Sequence, residues 1–150
     1  MPATKEASLS ATLNPYLNFR GNAREALEFY RSVFGGDLQA SSFTDFGMPV
    51  DPTEADQIMH GQLTTASGFT LMASDVPSHM PWKAGENTFS VSLSGDAEDE
   101  LTGYWNKLAE GADVQEQLTK APWGDTFGML KDRFGVAWLV NISGGGAAPA

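Results

Sequence analysis

Gly21-Asn22-Ala23 and Gly95-Asp96-Ala97 stand 74 positions apart in a chain of 150 residues. At the same offset Leu27 falls on Leu101, Tyr30 on Tyr104 and Phe34 on Leu108. Each triplet follows a segment with strand character and precedes one with apolar residues at helical spacing. Whatever this chain folds into must therefore accommodate one pattern twice.

In the first copy, Leu13–Phe19 alternates, with Leu13, Leu17 and Phe19 on one face and Asn14, Tyr16 and Asn18 on the other. Pro15 lacks an N–H and pushes this strand towards a sheet edge. Asn22 is placed to cap a helix, with Glu25 three residues on as its capping-box partner. The apolar run Ala23, Ala26, Leu27, Tyr30, Val33 and Phe34 ends at Gly35-Gly36. On its outer face Glu28 can pair with Arg24 or Arg31. Three strands follow, at Leu38–Phe43, Ile58–Thr65 and Phe69–Ser74, with a Pro- and Asp-rich loop, Asp45–Gln57, between the first two. That loop is a candidate lid.

The second copy opens with a strand at Thr88–Leu93, a helix capped by Asp96 that carries Leu101, Tyr104, Trp105 and Leu108, and a strand starting at Val114. It closes with a hairpin over Pro122–Ile142, turning at Asp132-Arg133-Phe134-Gly135. The final strand, Val136–Ile142, is almost continuously apolar, so both its faces should be covered. The expected fold is α+β: two βαβββ modules, about 13–76 and 87–142, whose curved mixed sheets flank a trough. Such a concavity is a natural small-molecule site. Residues 13–142 form one domain in this reading, with flexible segments at 1–12 and 143–150.

Composition removes several functions. A net charge of −10 disfavours nucleic acid and anionic membrane surfaces as partners. The absence of cysteine excludes disulfides, zinc–thiolate sites and thiol nucleophiles. With no membrane-span pattern and no leader pattern, the expected location is the cytoplasm.

The segments PYLNFRGNAREALEFYRSVFGG (Pro15–Gly36), MHGQLTTASGFTLMASDVP (Met59–Pro77) and WGDTFGMLKDRFGVAWLVNI (Trp123–Ile142) resemble one family. It is the PhnB-like branch of the glyoxalase/bleomycin-resistance/dioxygenase, or vicinal oxygen chelate, superfamily. The likeness covers about Leu13 to Ile142. Members of the branch are often labelled 3-demethylubiquinone methyltransferase-like, yet no glycine-rich nucleotide loop follows a strand here. The resemblance implies a homodimer, and in metal-dependent members four strand residues that hold a divalent ion. Those positions fall here near Pro15, Thr88 or Phe89, Gln62 and Leu139, and only Gln62 offers a side-chain ligand atom of the usual kind. The departure implies no metal and no cofactor.

Six residues are candidates for ligand contact. Regular alternation puts Ile58, His60, Gln62 and Thr64 on one strand face, which the resemblance turns towards the trough, and His60 has the chemistry of a general base. Tyr16 lies on the polar face of the first strand. Trp82 and Trp123 sit in loops beside Pro and Gly, where indole faces often line ligand sites and accept cations. Asp125 follows Trp123-Gly124 and either caps that turn or faces the cleft. His79, between Pro77 and Pro81, reads as solvent-exposed. Three functions stay open: a binding protein that sequesters a small molecule, a metal-dependent lyase, isomerase or dioxygenase, and a metal-free enzyme with His60 as base.

Overall fold

The structure is a computed structural model that describes residues 11–144. All but four residues of the expected flexible ends, 1–12 and 143–150, lie outside the described residues. The elements in order are β1 (Tyr16–Phe19), α1 (Ala23–Phe34), β2 (Asp37–Ser42), a 3₁₀ turn (Pro52–Glu54), β3 (Ile58–Thr64), β4 (Thr70–Asp75), β5 (Val91–Gly95), α2 (Glu98–Leu108), β6 (Asp113–Lys120), β7 (Thr126–Lys131) and β8 (Ala137–Ile142). The order βαβββ occurs twice, as the repeat requires. Two compact units result: one takes in the chain to Arg31 and Gly35–Trp82, the other Ser32–Phe34 and the chain from Lys83.

In the first unit the sheet order is β1-β4-β3-β2, with β1 parallel to β4 and the other pairs antiparallel. In the second it is β5-β8-β7-β6, with the same alternation of directions. These are the mixed four-stranded sheets of a glyoxalase/bleomycin-resistance-like α+β fold. Strand β1 lies at an edge, where Pro15 does no harm, because its carbonyl still accepts from Met72 N at 3.1 Å.

The helices pack where the repeat predicts. Ala23, Ala26, Leu27 and Tyr30 of α1 are fully buried, and full burial of one such large apolar side chain stabilises by about 1.5–3 kcal/mol. Gly61 on β3 is the close-approach point, since a methyl group there would overlap Leu27 Cδ1. In the second unit Gly128 on β7 plays the same part: a Cβ would lie 2.8 Å from Trp105 Cη2 and 3.0 Å from Leu118 Cα. Trp105, Tyr104, Leu101 and Leu108 are buried on α2.

Several local expectations are corrected. Asn22 makes no side-chain capping bond. The amides at the start of α1 are instead taken by Asp75 at the end of β4, whose Oδ1 accepts from Gly21 N at 2.7 Å and Ala23 N at 3.0 Å. Asp96 likewise makes no cap; α2 is preceded by Ala97, with no side-chain bond to its first turn. Strand β1 starts at Tyr16, and Leu13 is 98% exposed. Strand β5 starts at Val91, three residues later than expected, because its partner β8 begins at Ala137 and pairs Trp138 with Val91. Thr88 and Phe89 precede the strand and have no ladder partner. The final strand is covered unequally: Trp138, Val140 and Ile142 are buried, whereas Ala137, Leu139 and Asn141 are half-buried. The expected turn is present, with Gly135 N donating to Asp132 O at 2.9 Å. On α1, Glu28 pairs with Arg31 at 2.8 Å.

The two glycine contacts should respond differently to a methyl group. Trp105 is a rigid ring and Leu118 offers backbone, so Gly128→Ala is expected to cost about 1–3 kcal/mol, as overpacking does. Gly61→Ala meets only the end of the Leu27 side chain and should cost less. Chemical denaturation of both variants checks this; an equal or greater loss at Gly61 would contradict the packing assigned here.

Candidate functional site

The first unit presents two faces of one sheet. Leu63, Leu71 and Ala73 turn towards α1 and are buried. Tyr16, Met72, Ser74, His60 and Gln62 alternate onto the other face and are only partly covered. One irregularity alters this alternation. Ser41 pairs with His60 and Ser42 with Ile58, so Met59 is an extra residue on β3. A bulge of this kind sends two successive side chains to one side. Ile58 is therefore buried while Met59 and His60 are both half-covered.

On that face Tyr16 and His60 come together. The phenol oxygen lies 3.2 Å from His60 Nδ1, and the ring centroids are 5.7 Å apart. Gln62 is two residues along, where its Nε2 donates to Thr64 Oγ1 at 3.2 Å. These three sequence candidates share a surface. Trp82 is elsewhere in the same unit, against the outer edge of β1, with Nε1 donating to Asn18 O at 3.0 Å. The Arg20 guanidinium stands 5.9 Å from the indole centroid, within cation–π range.

Trp82 ends a stretch, Pro77–Trp82, that is held at three points. Its indole is tied to Asn18, the Met80 carbonyl accepts from Arg20 Nη2 at 2.6 Å, and Ser78 N donates to both Glu54 carboxylate oxygens at 3.2 Å. Glu54 lies in the 3₁₀ turn of the 45–57 loop, so that loop and the Pro77–Trp82 stretch are fastened to one another. The 3₁₀ turn is itself capped by Asp51, whose Oδ1 accepts from Thr53 N at 2.9 Å.

Between these segments opens a pocket of about 340 Å³. Its apolar walls include Phe43, Met48, Val50, Met59, Val76 and Met80. Asn18, Ser74 and His79 also line it, and none of their side chains has a hydrogen-bond partner among the described residues. The buried Asp75 is in the wall too. Apolar walls with a few convergent polar groups are the usual composition of a small-molecule site. His79 is exposed, as its sequence context suggests, yet it belongs to this pocket. Apart from His79, whose context reads as solvent-exposed, these lining residues carry no local sequence signal for ligand contact. The available signal was the placing of Met48, Met59 and Met80 in or beside the two Pro-rich irregular segments.

The other two candidates belong to the second unit. Trp123 is 55% exposed in the turn that Gly124 N closes on Ala121 O at 3.0 Å. Asp125 is buried just before β7, accepting from Asn141 Nδ2 at 3.1 Å and Gly144 N at 2.9 Å. It is a staple between the two ends of the hairpin.

The positions that the resemblance assigns to metal ligands offer little to a divalent ion. Pro15, Phe89 and Leu139 have no side-chain donor, Thr88 precedes β5 with its hydroxyl donated to Glu86 O at 3.2 Å, and Gln62 is a neutral amide. Among the described residues no three of His, Cys, Asp and Glu come together as a metal would require. No helix among them is long and apolar enough to cross a membrane.

Comparison with known proteins bears on the family and the fold. The model of the family described as 3-demethylubiquinone-9 3-methyltransferase matches residues 11–141. Protein PA1353 from Pseudomonas aeruginosa is 44% identical, with 89% of this chain and 98% of that one covered and a TM-score of 0.78. A putative 3-demethylubiquinone-9 3-methyltransferase, PhnB protein, from Bacillus cereus is 23% identical over 89% of this chain and 100% of its own, with a TM-score of 0.64. A glyoxylase/bleomycin resistance protein/dioxygenase domain from Frankia sp. EAN1pec is 12% identical over 89% and 98%, with a TM-score of 0.61. The last two are likenesses of fold.

Asp125 generates a pH prediction. Its carboxyl is held below the ordinary carboxylate value, first by the Asn141 amide and then by Gly144 N–H, against the opposing effect of burial. A carboxylate whose folded pKa lies below its unfolded value of about 3.9 stabilises the fold above that pH. The contribution is lost as pH falls through the folded value. Thermal midpoints measured from pH 6 down to pH 2 should therefore drop less steeply below about pH 4 in Asp125→Asn than in the parent. Superimposable acid limbs would refute the assignment.

Proposed function

This chain belongs to the PhnB-like family described as 3-demethylubiquinone-9 3-methyltransferase, and we propose that it binds a small organic molecule in the pocket of its first unit without a divalent metal. The observation that carries the reading is the pocket itself, which has apolar walls and three polar side chains without partners among the described residues. Its volume of about 340 Å³ falls in the range of small-molecule sites. The side chains at the positions that the resemblance assigns to metal ligands support a metal-free site. Methyl transfer gains no support from the family description, because the sheets are mixed and no glycine-rich loop after a strand offers a nucleotide cradle.

Intrinsic tryptophan fluorescence tests the proposal directly. Trp82 is pinned to Asn18, a lining residue, so a ligand seated in the pocket should change its emission. Titration against a library of small aromatic and aliphatic compounds is expected to give a saturable change that survives EDTA and Trp123→Phe but disappears in Trp82→Phe. Saturable binding that needs metal, or that is lost with Trp123 and kept without Trp82, would place the site elsewhere.

A second reading is supported by the Tyr16–His60 pair. With Nδ1 engaged by the phenol, His60 Nε2 has no hydrogen-bond partner among the described residues. Where Nδ1–H donates to the phenol oxygen, Nε2 is left as an acceptor of the kind a general base needs. For any compound the protein turns over, His60→Gln should then abolish turnover with little change in thermal midpoint. A midpoint lowered by several degrees with turnover retained would make His60 structural.

A further inference from the structure

We infer that the pocket selects a planar aromatic ligand that is neutral or cationic and bears hydrogen-bonding groups on its edge; the inference rests on the small-molecule reading of that pocket. Its first support is the nature of the walls. Met48, Met59 and Met80 all line the cavity, and Phe43 at 3% exposure lies among them. Met48 is 44% exposed and Met80 49% exposed, so neither is a core side chain. Unbranched thioethers are polarisable and flexible, and they settle against aromatic rings with sulfur near the ring edge or face. Walls of Leu or Val would hold a saturated ligand as well and with less freedom to be lost on binding.

The second support is the polar set. Asn18 presents an amide with both donors and an acceptor, Ser74 a hydroxyl, and His79 an imidazole with one of each in its neutral form. All three reach the same cavity with no protein partner among the described residues. Together they match the alternating donors and acceptors on the edge of a hydroxylated or nitrogen-containing ring. The 340 Å³ of space is about twice the ~150 Å³ that accepts benzene in an engineered cavity, which suits two fused rings.

The third support is charge. Among the described residues neither Lys nor Arg lines the cavity. Arg20, which approaches through the Pro77–Trp82 stretch, spends its guanidinium on the Met80 carbonyl and the Trp82 ring. The chain as a whole carries −10, and Asp75 lies in the wall with its carboxylate taken up by the amides of Gly21, Ala23 and Ile58. Tight recognition of a phosphonate, phosphate or carboxylate calls for charge-assisted donors, and among the described residues the lining holds no permanently charged one.

Four matched probes test the inference: 2-naphthylmethanol, 2-naphthylmethylammonium, 2-naphthoate and the decahydro analogue of the alcohol. Binding is read from the ¹³C-methyl resonances of the methionines, which report both affinity and location. The alcohol and the ammonium should shift the Met48, Met59 and Met80 methyls. The naphthoate and the decahydro alcohol should bind at least about tenfold more weakly. Met48→Leu with Met80→Leu, a volume-conserving pair at exposed positions, should weaken the aromatic alcohol several-fold and leave the decahydro alcohol unchanged. Equal binding by the naphthoate or by the saturated ring would overturn the ligand class while leaving the pocket reading intact. If no probe moves any pocket methyl, the inference and the pocket reading fail together.

Discussion

Three backbone N–H groups from two distant parts of the first unit converge on one carboxylate. Asp75 Oδ1 accepts from Gly21 and Ala23, and Oδ2 accepts from Ile58 at 2.9 Å. The Ala23 and Ile58 amides are buried and would otherwise be donors without a partner, at a cost of about 1–3 kcal/mol apiece. The negative charge is also well placed at the first turn of α1, where the helix presents unpaired N–H groups. One residue thus fixes where α1 begins, where β3 begins and where β4 ends. The pocket is built on those three points, because Asn18, Met59 and Ser74 each lie within a few residues of them.

Much of this architecture is legible in the sequence because it depends on periodic burial. The helix Ala23–Phe34, the eight strands in order, the turn at Asp132–Gly135 and the edge position of β1 all follow from alternation, spacing and turn chemistry. What escapes is whatever depends on a partner far along the chain. Asn22 and Asp96 are good caps by local rules, but the amides near Asn22 are claimed by a carboxylate more than fifty residues away. The start of β5 is set by where β8 becomes available. The pocket is the largest omission, and it is made of irregular segments whose side chains carry no periodic signal. Tyr16, His60 and Gln62 could be grouped on one face by strand parity; nothing local could have joined Met48 to Met80.

The two copies also differ in a way that the 74-residue offset conceals. Gly61 and Gly128 are equivalent packing points, as are the turn residues Gly68 and Gly135, yet each pair is 67 residues apart. The offset shrinks by seven because the first unit has the longer connection into its third strand. That connection holds the 3₁₀ turn, Met48 and Val50. The corner where the third strand starts beside the end of the fourth is closed by a carboxylate in both units, but from opposite strands. Asp75 reaches back from β4 to Ile58, whereas Asp125, at the position equivalent to Ile58, reaches forward to Asn141 and Gly144. The same joint is made twice with its donor and acceptor sides exchanged.

The extra residue at Met59 has a meaning beyond local geometry. A regular strand divides its side chains evenly between two surfaces, so a residue can serve the interior or the exterior only according to its parity. Inserting one residue changes the phase of everything downstream by half a period. Strand β3 enters with Ile58 facing the helix and leaves with Gly61 and Leu63 facing it again, having delivered two neighbours in succession to the outer surface. Met59 is thereby available to the cavity and His60 to Tyr16, from one strand and without loss of a core position. A single irregular step lets a strand dedicated to packing contribute to two neighbouring sites at once.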